Sequence, residues 1–536
     1  MQNYKSVADS VDELIPSASA LEIFAAVFRW LTNPAQTSII PTLDQDVITG
    51  IREGKSYGCL RREFGKRFAS ATLHYGISAR LDGDLVLALS ELDGLRTALR
   101  VYFKDGKDFV LPVLLALLDA IDAEYGHILE LDRPQSQNRF SFLWTLSENR
   151  AIWKPRSAFG SDSISNDNRP PEYGPDVRQL RFERLFGNLL VPSRDTLGGS
   201  LQPAVLGGPV LAHIRENEPW RIAMISILAD IDDIAWTYPA GRFWGESISS
   251  NLESKVIERL KWALEICREA HTDIILLPEL NVSPALRKEL ERFAAEGAHL
   301  PRLIICGQLH QTCDPDASTF YNRPLIIGSN GEIPWQYWKY APMEVSRTAF
   351  TRNPDDRNFR HGEALGSCPE YVVAVDLPIG RLSVVICLDF LQDTVHRALL
   401  ALRANVIAVI AMTGPTSVTS FKEKAHDHAA GSQAVTFFCN SSLHYRAGHH
   451  RVPAVSAYSA PTGDEPVLGF VHLNQRVRTQ HLHTHELPET RTTVATVGLY
   501  ELNRPDPSAE ARLDVRTVST PDCVIRIEQA AARHSG

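Results

Sequence analysis

Short apolar runs alternate with amphipathic segments along the second half of the chain, from residues 220–228 (WRIAMISIL) to about residue 505. Apolar runs of this length are typical of strands that are buried on both faces. Residues 251–270 follow with apolar side chains at helical spacing. A chain that alternates buried strands with helices must place the helices over a sheet, which predicts an α/β fold.

The first ~215 residues have a different pattern. Apolar residues recur at helical spacing within residues 10–30 and 85–131, which predicts a mainly helical region. Residues 160–175 are rich in Ser, Asn, Asp, Gly and Pro and are predicted to form a loop or linker. We therefore expect a mainly helical N-terminal region (residues 1–215), an α/β domain (216–505) and a C-terminal tail (506–536).

Composition narrows the classes of partner. The 55 Lys and Arg against 64 Asp and Glu give a net charge of −9, which argues against an extended nucleic-acid surface. The N-terminal segment has no apolar core of the signal-peptide type, and the richest apolar run, residues 109–121, is too short to span a bilayer. Eight cysteines without a CxxC pair favour reduced thiols. We expect a cytoplasmic protein that binds neither nucleic acid nor a membrane.

Three apolar runs end at chemically useful side chains: Glu279 in LLPEL, Lys339 in YWKYAP and Cys387 in VVICLD. A free thiol, with a pKa of about 8.5, is only a few per cent thiolate at neutral pH, so it needs a base. A buried carboxylate can take the proton, protonate a leaving amine and later activate water. An ammonium and the backbone N–H of Leu388 could stabilise the oxyanion. The set predicts covalent hydrolysis of an amide or a nitrile.

Around these residues the chain resembles the nitrilase (carbon–nitrogen hydrolase) superfamily, over about residues 218–505. The segments TDIILLPE, YNRPLIIGSNGEI, ANVIAVIA and AVTFFCN look like strands of that family. The resemblance implies a four-layered α-β-β-α sandwich, a Glu-Lys-Cys triad made of Glu279, Lys339 and Cys387, and neither a metal nor a cofactor. It also implies a homodimer or a higher homo-oligomer.

The chain departs from the family pattern near the nucleophile. Leu388 and Leu391 stand where many members carry an aromatic residue and an arginine. Many members also use a second glutamate shortly after the lysine to position that lysine and the substrate. Glu344 is the nearest candidate for this role here.

Other residues compete with this interpretation. Glu279 or Lys339 alone would be read as an ordinary surface residue. Cys306 and Cys439 also close apolar runs, and buried cysteines are usually inert. Cys387 is favoured by the following Asp389, by its position after the lysine strand and by the resemblance.

Histidines supply the remaining candidates for a site. His481, His483 and His485 alternate in HLHTHE, and three imidazoles on one face of a strand can bind zinc. The resemblance implies no metal, so we predict none. His426 and His428 are two residues apart on a predicted helix and do not share a face, which favours a solvated or structural role.

The function expected from the sequence is hydrolysis of a non-peptide C–N bond in a small molecule, an amide in preference to a nitrile. Two alternatives stay open. One is transfer of the acyl group to an amine acceptor, and the other is a catalytically silent sandwich that acts as a sensor or assembly module. The sequence indicates no role for the helical N-terminal region.

Overall fold

The structure is a computed structural model. It describes residues 10–517, apart from gaps at 34–44, 75–83, 105–109, 132–141, 147–150, 154–184, 187, 193–196, 198–199, 208–219, 229–232, 238–241, 297–302, 313–319, 329–330, 347–359, 367–368, 378–379, 414, 433, 442–466, 478, 489–495 and 504–513. Beyond residue 441 it describes only the backbone. The predicted linker at 160–175 and the apolar run at 523–527 lie outside the described residues.

The chain divides into two compact units, the first made of residues 1–155 and 168–212 and the second of residues 156–167 and 213–536. The described helices of the first unit are α1 Val11–Leu14, α2 Ala20–Thr32, α3 Gln45–Glu53, α4 Lys55–Ala69, α5 Leu89–Lys104 and α6 Val110–Leu131. Its strands are β1 Thr72–His74, β2 Asp84–Val86, β3 Phe142–Thr145, β4 Ile152–Trp153, β5 Leu189–Leu190 and β6 Gln202–Gly207. They form the antiparallel pairs β1–β2, β3–β6 and β4–β5.

The helices of the first unit surround an apolar core. The Ser19 side chain accepts a hydrogen bond from the Glu22 N–H and so caps the start of α2. Asp119 on the apolar helix α6 is hydrogen-bonded by Arg52 and by the Tyr57 hydroxyl. The Asp119 side chain is 12% exposed, and a carboxylate with so little exposure needs such partners because burying an unpaired charge is costly. Within the described part of the chain, no helix has the length and apolar character needed to cross a bilayer.

The second unit contains most of the strands. They are β7 Trp220–Ser226, β8 Ile234–Thr237, β9 Arg242–Ile248, β10 Ile274–Leu276, β11 Leu303–Gly307, β12 Gln311–Thr312, β13 Phe320–Tyr321, β14 Pro324–Gly328, β15 Gly331–Glu332, β16 Glu344–Ser346, β17 Arg360–Glu363, β18 Tyr371–Leu377, β19 Gly380–Ile386, β20 Val406–Ala411, β21 Val435–Asn440, β22 Val467–Val477, β23 Thr479–Pro488, β24 Thr496–Asn503 and β25 Asp514–Thr517. Its helices are α7 Glu253–Glu269, α8 Pro284–Ala295, α9 Asp393–Leu402 and α10 Pro415–Ser432, with a short 3-10 helix at Cys387–Leu391.

The two largest sheets of this unit each contain parallel strands. One has the order β15-β14-β11-β10-β7-β24-β25, with β10 parallel to both β7 and β11. In the other, the second unit's strands follow the order β23-β22-β21-β20-β19-β18, with β19, β20 and β21 parallel. Every residue of β19, β20 and β21 is buried, as expected for strands covered on both faces. The α/β class predicted from the sequence is confirmed.

The sheets and helices of this unit contact one another through apolar side chains. The Sγ of Cys439 on β21 lies 3.5 Å from the carbonyl oxygen of Leu276 on β10, so the two sheets touch. Apolar residues of α7 and α8 pack against β10 and β11 in one buried cluster. Helix α9 packs against β18, and α10 packs against β21.

A smaller sheet has the order β16-β17-β9-β8, and β12 pairs with β13 in a two-stranded antiparallel sheet. Strand β25 falls within the predicted tail of residues 506–536, yet it pairs with β24 at the edge of the seven-stranded sheet. Its short DVRT segment has no apolar run that would have marked it as a strand.

Candidate active site

Glu279 and Cys387 occupy tight turns at the ends of two buried strands. Glu279 lies three residues after the end of β10, and Cys387 directly follows β19. The backbone is left-handed at Leu280 (φ 55°) and at Cys387 (φ 45°). Non-glycine residues in this region cost about 1–3 kcal/mol and persist where the surrounding structure fixes them, often at functional sites.

Gly307 permits the close approach that shapes the Glu279 turn. Its N–H donates to the carbonyl oxygen of Pro278 over 3.1 Å, and its own carbonyl oxygen accepts from the Asn281 N–H over 3.0 Å. A Cβ atom at position 307 would lie 2.4 Å from the Cα of Glu279. Only glycine leaves room for the two backbones to meet in this way.

The ammonium of Lys339 lies between two buried carboxylates. Its Nζ is 2.7 Å from Oε1 of Glu279 and 2.6 Å from Oε2 of Glu363, and all three side chains have 0% exposure. Burial alone would lower the pKa of Lys339, but the charges of Glu279 and Glu363 outweigh it and raise that pKa well above its usual value. The lysine is therefore a fixed cation.

Cys387 completes the arrangement. Its thiol donates to the Met412 carbonyl oxygen, which lies 3.9 Å from the sulfur. The Met412 N–H donates to Oε2 of Glu279 over 3.0 Å, so residue 412 touches both groups. Burial and the charge of Glu279 raise the pKa of the Cys387 thiol well above its usual value, although Lys339 opposes this. The resting thiol is therefore protonated.

A side-chain amide connects the two carboxylates. Nδ2 of Asn322 donates to Oε1 of Glu279 and to Oε1 of Glu363, each over 2.7 Å. The backbone carbonyl of Asn322 accepts the Lys339 N–H over 2.7 Å. One residue thus orients both acids and the lysine between them.

Glu363 has a further partner in His310. Nε2 of His310 lies 2.9 Å from Oε1 of Glu363, and the Gly245 N–H donates to Nδ1 over 2.9 Å. A neutral imidazole here therefore carries its proton on Nε2, where it donates to Glu363. Burial would raise the pKa of Glu363, but Lys339 and His310 together hold it below its usual range.

The second carboxylate at the lysine belongs to Glu363, whereas the sequence indicated Glu344. Glu344 is exposed, while Lys339 is buried. The cause is strand register: in the antiparallel pair β16–β17, Glu344 is opposite Gly362. Adjacent residues of a strand point to opposite faces, so Glu363 projects away from the face that Glu344 shares with Gly362.

Leu388 occupies the second position of the 3-10 helix Cys387–Leu391 and is half-buried. N–H groups in the first turn of a helix have no acceptor within that helix. Leu391, the other departure from the family pattern, is also half-buried. The side chains at both positions therefore border the Cys387 turn without being sealed in the core.

The competing cysteines have backbone partners. Cys306 donates to the carbonyl oxygen of Leu325 and Cys439 to that of Leu276, each over 3.5 Å. Burial raises the pKa of both thiols. The thiol whose pKa also depends on the charges of Glu279 and Lys339 is that of Cys387.

The histidine candidates separate into two groups. His481, His483 and His485 lie in β23, whose side chains are outside the described residues. His426 is exposed, whereas His428 is buried with its Nε2 3.0 Å from Nδ1 of His396. Among the side chains that the structure describes, no three His, Cys, Asp or Glu residues are grouped as metal ligands.

Comparison with known proteins gives only distant similarities. No protein-family model and no curated protein sequence matches the chain. An amidase from Nesterenkonia sp. is similar to 42% of this chain over 78% of its own, with 16% identity and a TM-score of 0.29. The NitN amidase of strain AN1 matches 59% of this chain over 98% of its own, with 13% identity and a TM-score of 0.32.

A variant of that amidase is described as belonging to the nitrilase superfamily. Its match covers 41% of this chain and 77% of the variant's own chain, with 15% identity and a TM-score of 0.29. Scores this low do not establish a common fold. The geometry of the site is therefore the evidence that bears on its function.

Proposed function

We propose that this chain is a carbon–nitrogen hydrolase of the nitrilase superfamily that cleaves non-peptide amides through a cysteine thioester. The observation that carries the proposal is that Glu279 accepts hydrogen bonds from the Lys339 ammonium and from the N–H of Met412, whose carbonyl oxygen lies 3.9 Å from the Cys387 sulfur, in one buried cluster. A base, a cation and a nucleophile are the three groups that acyl transfer to a thiol requires.

In the first half-reaction the Cys387 sulfur attacks the amide carbon while its proton passes to Glu279. The C–S bond forms, and the carbonyl oxygen becomes an oxyanion that Lys339 and the Leu388 N–H stabilise. Each such donor is worth about 3–4 kcal/mol of barrier. The C–N bond then breaks, and Glu279 returns the proton to the nitrogen, which leaves as ammonia or an amine.

In the second half-reaction water replaces the amine. Glu279, again ionised, takes a proton from the water as its oxygen attacks the thioester. The C–S bond breaks, the carboxylic acid leaves, and the proton returns to the Cys387 sulfur. The sum is amide plus water to acid plus amine, so no cofactor is consumed. Glu363, Asn322 and His310 keep the lysine oriented throughout.

The proposed organisation follows the same reasoning. Contact between the two sheets, with α7 and α8 against one and α9 and α10 against the other, supports a four-layered α-β-β-α sandwich over residues 216–505. From the cysteine pattern we propose a cytoplasmic location, and from the sequence resemblance a homodimer or higher homo-oligomer. The helical region, residues 1–215, is assigned no chemistry.

The test is a panel of small aliphatic, aromatic, acidic and basic amides, with nitriles as a second panel. We expect ammonia and acid release by the wild type, and none by Cys387→Ala. Cys439→Ala is the matched control, because it removes a buried thiol whose described contacts are with backbone carbonyls. Binding without turnover or adduct across both panels would favour the silent sensor or assembly module.

Acyl transfer to an amine acceptor is the second candidate. The side chains of Glu279 and Lys339 have 0% exposure, and Cys387 is 1% exposed, so the site can exclude water. Adding hydroxylamine during turnover distinguishes the two. A transferase gives hydroxamate in large excess over acid at millimolar hydroxylamine, whereas a hydrolase gives mainly acid.

A further inference from the structure

Asp389 connects the Cys387 turn to the lysine segment. It lies two residues after the nucleophile in the 3-10 helix and is fully buried. Its Oδ1 accepts the Ala341 N–H over 2.6 Å, and its Oδ2 accepts the Tyr340 N–H over 2.7 Å. The two residues that follow Lys339 are therefore held by one carboxylate.

Tyr337 provides the second connection. Its hydroxyl donates to Oδ2 of Asp389, and the Tyr337 hydroxyl oxygen itself accepts the Ile386 N–H over 3.3 Å. Ile386 is the residue before Cys387. The segment around Lys339, residues 337–341, is therefore hydrogen-bonded to both sides of the Cys387 turn. It contacts Ile386, the residue before the cysteine, and Asp389, the second residue after it.

We propose that Asp389 and Tyr337 are positioning residues that hold the Cys387 sulfur in register with the Lys339 ammonium. This inference rests on the proposed function for its catalytic meaning. The left-handed backbone at Cys387 is strained, and such a conformation persists only where neighbouring groups over-determine it. The four hydrogen bonds of this pair supply that restraint.

The four hydrogen bonds made by Asp389 and Tyr337 form a clamp on the Cys387 turn. The charge state of Asp389 sets the strength of this clamp. Burial raises the pKa of Asp389 to about 7, although Tyr337, the two backbone N–H groups and the Lys339 charge oppose the rise. An ionised carboxylate accepts hydrogen bonds on both oxygens, whereas the protonated form loses acceptor capacity. Tyr337, whose pKa burial raises well above its usual value, stays a donor. The clamp should therefore weaken as the pH falls below about 7.

The experiment compares Asp389→Asn and Tyr337→Phe with the wild type. Tyr125→Phe is the matched control, because Tyr125 is also buried and its hydroxyl also accepts a backbone N–H, that of Leu85, in the first unit. Two measurements are made: amide hydrogen exchange by mass spectrometry, and the pH profile of kcat and KM on the best amide of the panel.

We expect faster exchange in peptides covering residues 337–341 and 386–391 in both variants, and no change there in the control. A misplacement of about 1 Å can cost on the order of 100-fold in rate, so kcat should fall by about that factor with KM within about threefold. The wild-type loss of kcat below pH 7 should be absent in Asp389→Asn. If that variant does not fold, Tyr337→Phe tests the same contact.

Wild-type kcat and pH profile in a folded Asp389→Asn or Tyr337→Phe protein would overturn the inference. If the wild type hydrolyses no amide, the proposed function fails separately. Hydrogen exchange alone then tests whether Asp389 and Tyr337 hold the two segments together. Unchanged exchange at residues 337–341 and 386–391 in the variants overturns the inference.

Discussion

Oε2 of Glu363 lies 2.6 Å from Nζ of Lys339, and both side chains have 0% exposure. The ammonium thus has carboxylates on two sides, since Glu279 is 2.7 Å away. An ammonium has three N–H donors, so one donor remains for a third group. In the proposed reaction that donor is directed at the substrate oxygen.

Glu363→Gln should impair catalysis through Lys339. The amide keeps the shape of the Glu363 side chain but removes the negative charge that lies next to the Lys339 ammonium. It also places an NH2 group where a carboxylate oxygen of Glu363 now accepts a hydrogen bond. We expect kcat to fall by about 10- to 100-fold and the free energy of unfolding to fall by about 3 kcal/mol. Steady-state kinetics and urea denaturation measure these two effects.

Glu344→Gln is the control for that substitution, because Glu344 is exposed on the neighbouring strand. It should leave both kcat and stability unchanged. The assignment of the second carboxylate would be reversed by a large loss of kcat in Glu344→Gln together with normal kinetics in Glu363→Gln.

Asn322→Asp should convert a bridge into a repulsive contact. The substitution removes the N–H donors that now bind Glu279 and Glu363, and it adds a third carboxylate around one ammonium. Like charges disfavour ionisation, so at least one of the three carboxyl groups should titrate at a higher pH. We expect a lower Tm and an alkaline shift of the kcat profile. An unchanged profile in a folded variant would contradict the bridge.

Gly307→Ala should distort the Glu279 turn. The added methyl group would lie 2.4 Å from the Glu279 Cα and 2.8 Å from the Leu280 nitrogen, so the backbone would have to shift. We expect loss of most activity and a Tm several degrees lower. Gly362→Ala is the control, since a Cβ there would meet no atom within 4 Å. Equal effects of the two substitutions would show that the close approach at Gly307 is unimportant.

The pH dependence of stability should report Asp389. Its pKa is raised to about 7 in the folded protein, whereas an aspartate in an unfolded chain has a pKa of about 3.9. The folded state therefore holds a proton that the unfolded chain has lost, and this stabilisation is complete below pH ~4 and lost as the pH rises through 7. The Tm of the wild type should fall, relative to that of Asp389→Asn, between pH 4 and 7.5. A constant Tm difference would contradict the raised pKa.

The sequence indicated the α/β class and the strands that end at Glu279 and Cys387, because buried parallel strands are continuous apolar runs. The structure brings these two residues and Lys339 together. Glu363 and His310 had no local signal, since each lies in a polar stretch. Their place at the lysine depends on which strands pair, and a one-residue difference in register separates Glu363 from the face of Glu344.

The most direct test of the account is the location of the acyl group during turnover. Wild-type protein is mixed with an amide substrate, quenched in acid within milliseconds to seconds, digested and mapped by mass spectrometry. The account predicts an acyl thioester on the peptide that contains Cys387, absent in Cys387→Ala and retained in Cys439→Ala. Turnover with the acyl group on another residue, or undiminished turnover in Cys387→Ala, would contradict it.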